Sequence, residues 1–209
     1  MDAFYFTQHS CSIAALSALV ECDHPFVPQK LQMTVDGAGE SWYANVSPLR
    51  QVPVLETAAG YVRETGAIFE YLSQRYGSKP IFAQSEGERV LMLQWLGFLG
   101  GTVHPMFRPL FRPDRFVGQD PSASQRLKEH SKSYLEKALA AIDKHLIDRA
   151  WVLDRPTVLD FYLFAFTRWA LLLRFGLPPA LSGFHERVGA LESVARALER
   201  ERTTGVAAT

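Results

Sequence analysis

Cysteine is scarce in this chain: Cys11 and Cys22 are the only two among 209 residues. That excludes a disulfide scaffold and a four-cysteine zinc site, and no metal is expected. Net charge is lacking too, since 22 Lys and Arg balance 22 Asp and Glu. Nucleic acid and anionic membranes call for a basic excess, so neither is expected as the main partner. No apolar run approaches the ~20 residues of a membrane span. Residues 161–166 run into Thr167 and Arg168, and residues 91–93 into Gln94. The opening MDAFYFTQHS has neither the basic start nor the apolar stretch of a signal peptide, so a soluble, cytoplasmic chain is expected. What is present is apolar substance: 47% of the residues, enough for a sizeable core and too much for a disordered chain. The length suggests one or two domains.

The first third mixes strands and helices. Residues 4–6 are an aromatic run suited to a buried strand. Residues 12–20 place Ile13, Leu16, Leu19 and Val20 on one helical stripe, while Leu31, Met33 and Val35 alternate with polar residues as a half-exposed strand does. Residues 52–56 and 61–63 flank a Thr-Ala-Ala-Gly turn and read as a hairpin. Residues 65–76 form a helix, with Gly77 as a left-handed stop. The order is β-α-β-(irregular)-β-β-α, one small sheet covered by helices.

Beyond residue 85 no strand signal remains. Residues 86–99 are apolar around much of a helix, so this segment is buried or lies at a subunit interface. Residues 122–146 form a long amphipathic helix, residues 157–173 a strongly apolar one, and residues 191–200 a last one. Residues 203–209 read as a frayed tail. Between the first two helices, the prolines of HPMFRPLFRP predict a rigid connector rather than a helix.

Chemistry concentrates in the first third. Cys11 stands between a strand and a helix, where unpaired N–H groups and the helix dipole favour thiolate. Cys22 lies eleven residues on, about 16 Å along a helix, beyond the ~7 Å limit for a disulfide. Pro53 directly precedes a strand; a cis Val52–Pro53 bond would turn the Val52 backbone outward, free to pair with an extended peptide. Thr65 is a good N-cap, and a helix N-terminus binds carboxylate, while Glu64 beside it suits an ammonium. Together these are a thiol locus, a backbone rung and an amino-acid clamp. Glutathione has the matching parts: a thiol, a peptide backbone and a γ-glutamyl end.

On FTQHSCSIA, QVPVL, ETGAIFEYL, VHPMFRPLF and TVLDFYLFAFTRWA, taken in order, the chain resembles the cytosolic glutathione transferases over nearly its whole length, and the bacterial beta class most. The resemblance implies an α/β thioredoxin-like domain (βαβαββα), residues 1–78, that binds glutathione. It implies an all-α domain, residues 86–209, that contributes the electrophile pocket, and a homodimer. It makes Cys11 the active-site cysteine, His104 the histidine reaching toward the thiol, and Val52 the backbone partner before cis-Pro53. Glu64 and Thr65 become the γ-glutamyl binders, and Thr157 and Asp160 the structural capping box. Phe6, Phe107, Phe111 and Trp169 are candidate walls of the electrophile pocket.

The implied activity is conjugation of glutathione, as co-substrate, to small apolar electrophiles. Two other readings stand beside it: a disulfide reductase or thiol transferase through Cys11, and a non-catalytic binding protein on the same scaffold. The chain departs from the family pattern at Pro105 and at Val35-Asp36, where lysines are common, at Gly97 in place of asparagine, and at Pro48-Leu49-Arg50, where the family has Pro-x-Gly before the Val-Pro. These departures remove contacts to the glycyl end of the peptide, for which Arg50, Arg108 and Arg112 are candidate replacements.

Overall fold

The computed structural model describes residues 1–207. Its first part is a four-stranded sheet in the order β2-β1-β5-β6. The strands are β1 Asp2–Phe6, β2 Phe26–Lys30, β5 Val54–Thr57 and β6 Gly60–Arg63. β1 runs parallel to β2 and antiparallel to β5, and β5 and β6 form the expected hairpin. Phe4 and Phe6 on the central strand are fully buried. The crossover α1, Ser12–Glu21, carries no polar face to water: every residue from Ser12 to Val20 is buried. It packs against α2 (Thr65–Tyr76) of its own layer and against α7 (Val158–Leu172) and α9 (Glu192–Thr203) of the helical part. One apolar core therefore runs through both parts of the chain.

Several expectations are corrected here. The second sheet strand lies at Phe26–Lys30, five residues ahead of the alternating segment, and Pro28 sits inside it. Proline lacks the N–H for a ladder, but β2 is an edge strand and tolerates it. The alternating residues instead form a two-residue hairpin, β3 Met33–Thr34 with β4 Gly37–Ala38. Where the thioredoxin-like pattern has its second helix, a short 3-10 turn spans Ser41–Asn45. Gly77 ends α2 at φ −60, in the right-handed region rather than the left-handed one. The expected frayed tail is ordered as far as described: α9 reaches Thr203, and the Ala207 N–H donates to Lys30 O at 2.8 Å beside a Lys30–Val206 bridge. Residues 208–209 lie outside the described residues.

The remaining helices are α3 Glu86–Phe98, α4 His104–Phe111, α5 Asp114–Val117, α6 Pro121–Leu146 and α8 Pro179–Gly189. Ser85 and Asp120 cap α3 and α6 by accepting from the Glu88 and Ala123 N–H groups. The proline-rich segment is helix after all. A π-type turn, Leu99–Val103, lets the His104 N–H donate to Leu99 O, and Pro105 follows in the first turn of α4, where a missing N–H is tolerated. Glu86–Phe111 is thus one continuous helical stretch of 26 residues, long and apolar enough by length and composition to cross a membrane. No Asp, Glu, Lys or Arg separates Arg89 from Arg108; the sequence reading missed this run because Gln94 and the glycines interrupt it. Only Met92 of α3 is buried within the chain.

Candidate functional site

The loop after β1 delivers Cys11 to the N-cap of α1. Short hydrogen bonds hold it locally: the Ser10 hydroxyl donates to Thr7 O at 2.7 Å. The helical part holds it from outside. The Trp169 indole N–H donates to His9 O at 2.7 Å, and the His9 N–H donates to the Glu201 carboxylate at 3.1 Å. Arg168 pairs with the same carboxylate at 2.8 Å, and Glu201 is 3% exposed. His9 sits at φ 60, a region non-glycine residues seldom adopt, so these bonds keep the loop in a conformation it would not choose alone.

Cys11 is a thiol, not the thiolate its helix-start position suggested. Burial pushes it up to about 12, outweighing the pull of the Arg108 charge. The S–H donates to Val52 O across 3.6 Å. Val52–Pro53 is cis and leads into β5. Glu64, at φ 69, occupies the N-cap of α2, and Thr65 is the first helical residue rather than the cap. Thr65 is 4% exposed. His104 opens α4, its Nδ1 lies 2.9 Å from the Tyr162 hydroxyl, and the two are hydrogen-bonded. Burial, reinforced by Arg108, pushes His104 down to about 4, so it is neutral at neutral pH. Burial likewise raises the Tyr162 phenol, which stays protonated.

Cys11, Val52, Pro53, Glu64, Thr65 and His104 line one cleft of about 600 Å³ between the sheet domain and α4, α5 and α7. Phe111 and Trp169 are in its wall, as expected. Phe6 and Phe107 are not: both are fully buried, Phe107 stacking on Phe166 at 5.7 Å. Sequence reasoning missed Phe116, Tyr162, Arg63 and Arg115, which also line the cleft. Tyr162 was detectable, since Tyr162, Phe166 and Trp169 share one stripe of α7 at helical spacing.

Two candidate replacements at the glycyl end are otherwise engaged. Arg50 donates to the carbonyls of Ala38 and Gly39 and to the Thr34 hydroxyl, pinning the β3–β4 hairpin. Arg112 makes paired bonds to Asp114 at 3.0 and 2.8 Å.

Away from the cleft, Asp160 accepts from the Thr157 N–H at 2.7 Å and its hydroxyl at 3.0 Å, and from the Val152 N–H at 2.8 Å. The capping box at the start of α7 is present.

The family model described as "Glutathione S-transferase, N-terminal domain" matches residues 19–80. Glutathione S-transferase GstA of Escherichia coli O157:H7 is 28% identical over 204 residues, covering 94% of this chain and 97% of that protein. Among solved structures, the bacterial beta class glutathione S-transferase of Sphingomonas chungbukensis superposes with a TM-score of 0.83 at 27% identity, covering 97% of this chain and 100% of that one. A sphingomonad glutathione S-transferase complexed with glutathione gives the same TM-score, identity and coverage: 0.83, 27%, 97% and 100%. The likeness spans both the sheet domain and the helices: over nearly its whole length the chain is similar to the cytosolic glutathione transferases, those of the bacterial beta class among them.

Proposed function

We propose that the cleft binds glutathione and that the protein conjugates its thiolate to small apolar electrophiles. One observation supports this most: a thiol at Cys11, a backbone rung at Val52 before Pro53, and the Glu64–Thr65 start of α2 meet in one cleft, with His104 opposite. In this reading residues 1–78 hold glutathione. Residues 86–209 supply the electrophile side, where Phe111, Phe116 and Trp169 form an aromatic wall. Retention on immobilised glutathione together with turnover of an aryl halide tests the reading. A protein that neither binds glutathione nor turns over the halide with it refutes it.

Cys11 acts as a hydrogen-bond donor in this scheme, because a buried thiol pushed up to about 12 is a poor nucleophile at neutral pH. Cys11→Ala should therefore keep conjugation at a reduced rate. One donor to a charged group is worth about 1.5–3 kcal/mol, a drop of roughly tenfold to two-hundredfold in kcat/KM. Cys11→Ser should retain more, since its hydroxyl still donates. If Cys11 instead carries mixed-disulfide exchange, both variants lose disulfide reduction outright. Full wild-type conjugation by Cys11→Ala would remove the donor role.

The chain is also expected to act as a homodimer in the cytoplasm. Val90, Leu91 and Leu93 of α3 are 61, 49 and 55% exposed in the single chain, a face suited to a second copy. Two free, buried cysteines suit a reducing compartment. Light scattering should give twice the 23.5 kDa chain mass, and a stable monomer would overturn the assignment.

A further inference from the structure

Arg50, Arg63, Arg108, Arg112 and Arg115 all line the cleft. Arg50 and Arg112 are committed to the β3–β4 hairpin and to Asp114. Arg63 donates to Val46 O at 2.8 Å and lies over the Tyr61 ring. Arg115 donates to Val35 O at 3.2 Å across the cleft mouth. Among the described residues, no hydrogen bond or ion pair engages the Arg108 guanidinium; its carbonyl accepts from the Arg112 N–H at 2.8 Å at the end of α4. It stands four residues beyond His104, one turn along α4, and both line the cleft.

The other titratable groups facing the thiol locus bring no positive charge. Cys11 from α1 is a protonated thiol, His104 from α4 a neutral imidazole, and Tyr162 from α7 a protonated phenol. Glu64, at the start of α2, carries the same sign as a thiolate. An anion formed beside Cys11 therefore meets hydrogen-bond donors and one uncommitted cation.

We propose that Arg108 is a further catalytic residue, the cation that holds the sulfur anion of glutathione beside Cys11. The inference rests on the glutathione reading above. The thiol proton passes to a solvent base through the open cleft, and the guanidinium keeps its own protons. The sulfur electron pair then forms the bond to the electrophilic carbon, and the leaving group departs with the electrons of the bond it breaks.

The test compares wild type with Arg108→Gln and Arg108→Lys. Thiolate absorbance is followed in a pH titration of each glutathione complex, alongside kcat/KM for an aryl halide and the affinity for S-methylglutathione, which has no thiol proton. An opposite charge within about 4–6 Å of an acid is worth about 1–3 pKa units. In Arg108→Gln the bound thiol should titrate about one unit or more higher, and kcat/KM at neutral pH should fall at least about tenfold. S-methylglutathione should bind as before, and Arg108→Lys should restore most of the shift. An unmoved titration in Arg108→Gln overturns the proposal. So does weaker S-methylglutathione binding with an unmoved titration, which would make Arg108 a carboxylate clamp. A wild type that binds no glutathione overturns the underlying reading, whereas a wild type that binds and conjugates beside an unmoved Arg108→Gln overturns only the role of Arg108. Arg108 is exposed and unpartnered, so both variants should fold, which thermal unfolding checks.

Discussion

Asp160→Ala should lower stability by about 3–5 kcal/mol, because the carboxylate is the shared acceptor of three donors. The Thr157 N–H, the Thr157 hydroxyl and the Val152 N–H all bond to it, at 2.7, 3.0 and 2.8 Å. Thr157, Val152 and Asp160 are all fully buried, so water does not reach the donors once the acceptor is gone. The affected helix, α7, is the centre of the helical part and packs on α1 beneath the thiol loop. For a chain of this size the loss corresponds to a fall of roughly 6–20 °C in the midpoint of thermal unfolding.

The pH dependence has a definite sign. Burial raises the Asp160 carboxyl to about 6, from an ordinary 3.8, against the pull of its hydrogen bonds. The folded protein therefore binds this proton more tightly than the unfolded chain does. The associated stability is fully present below about pH 4 and is lost as pH rises through about 6. The gap between wild type and Asp160→Ala should accordingly be wider at pH 4 than at pH 7 in chemical denaturation. Equal midpoints for the two proteins at both pH values would show that the carboxylate contributes nothing.

Glu201→Ala should damage stability and catalysis together. The carboxylate is 3% exposed and takes both the Arg168 guanidinium and the His9 N–H. Removing one partner of a buried pair leaves the other charge uncompensated, at a cost of about 3–5 kcal/mol. The loss also frees His9 from its left-handed conformation, two residues before Cys11. A displacement of about 1 Å at a reacting centre is worth on the order of a hundredfold in rate. The expected result is kcat/KM for conjugation down by about that factor, with a lower unfolding midpoint. Glu201→Gln still accepts from His9, so it should recover much of the rate while leaving Arg168 unpaired. Wild-type activity in Glu201→Ala would show that the Trp169 bond to His9 O holds the loop by itself.

Much of this protein was legible in the order of its residues. The β1–α1 entry, the β5–β6 hairpin, the long amphipathic α6 and the apolar α7 follow from periodicity and turn residues, because those signals are local. Cys11 before α1, Pro53 before β5 and Glu64–Thr65 at the start of α2 were visible for the same reason: each sits at an element boundary. Local signals failed where tertiary context overrode them. Pro28 hid an edge strand, and Pro105 and Pro109 hid α4: a π-type turn and a first-turn position absorb the N–H missing at Pro105, while Pro109 is carried inside the helix. With α4 unread, the shared face of His104, Arg108 and Phe111 could not be seen.

The protonation of the site was likewise beyond the sequence. A helix start predicts thiolate at Cys11, but packing excludes water from the sulfur, and desolvation outweighs the dipole. The sequence determined which chemical groups are available and which local elements carry them. Only the tertiary structure decided which meet and in what charge state, because burial and long-range bonds such as Trp169 to His9 and Glu201 to His9 join residues more than 150 positions apart.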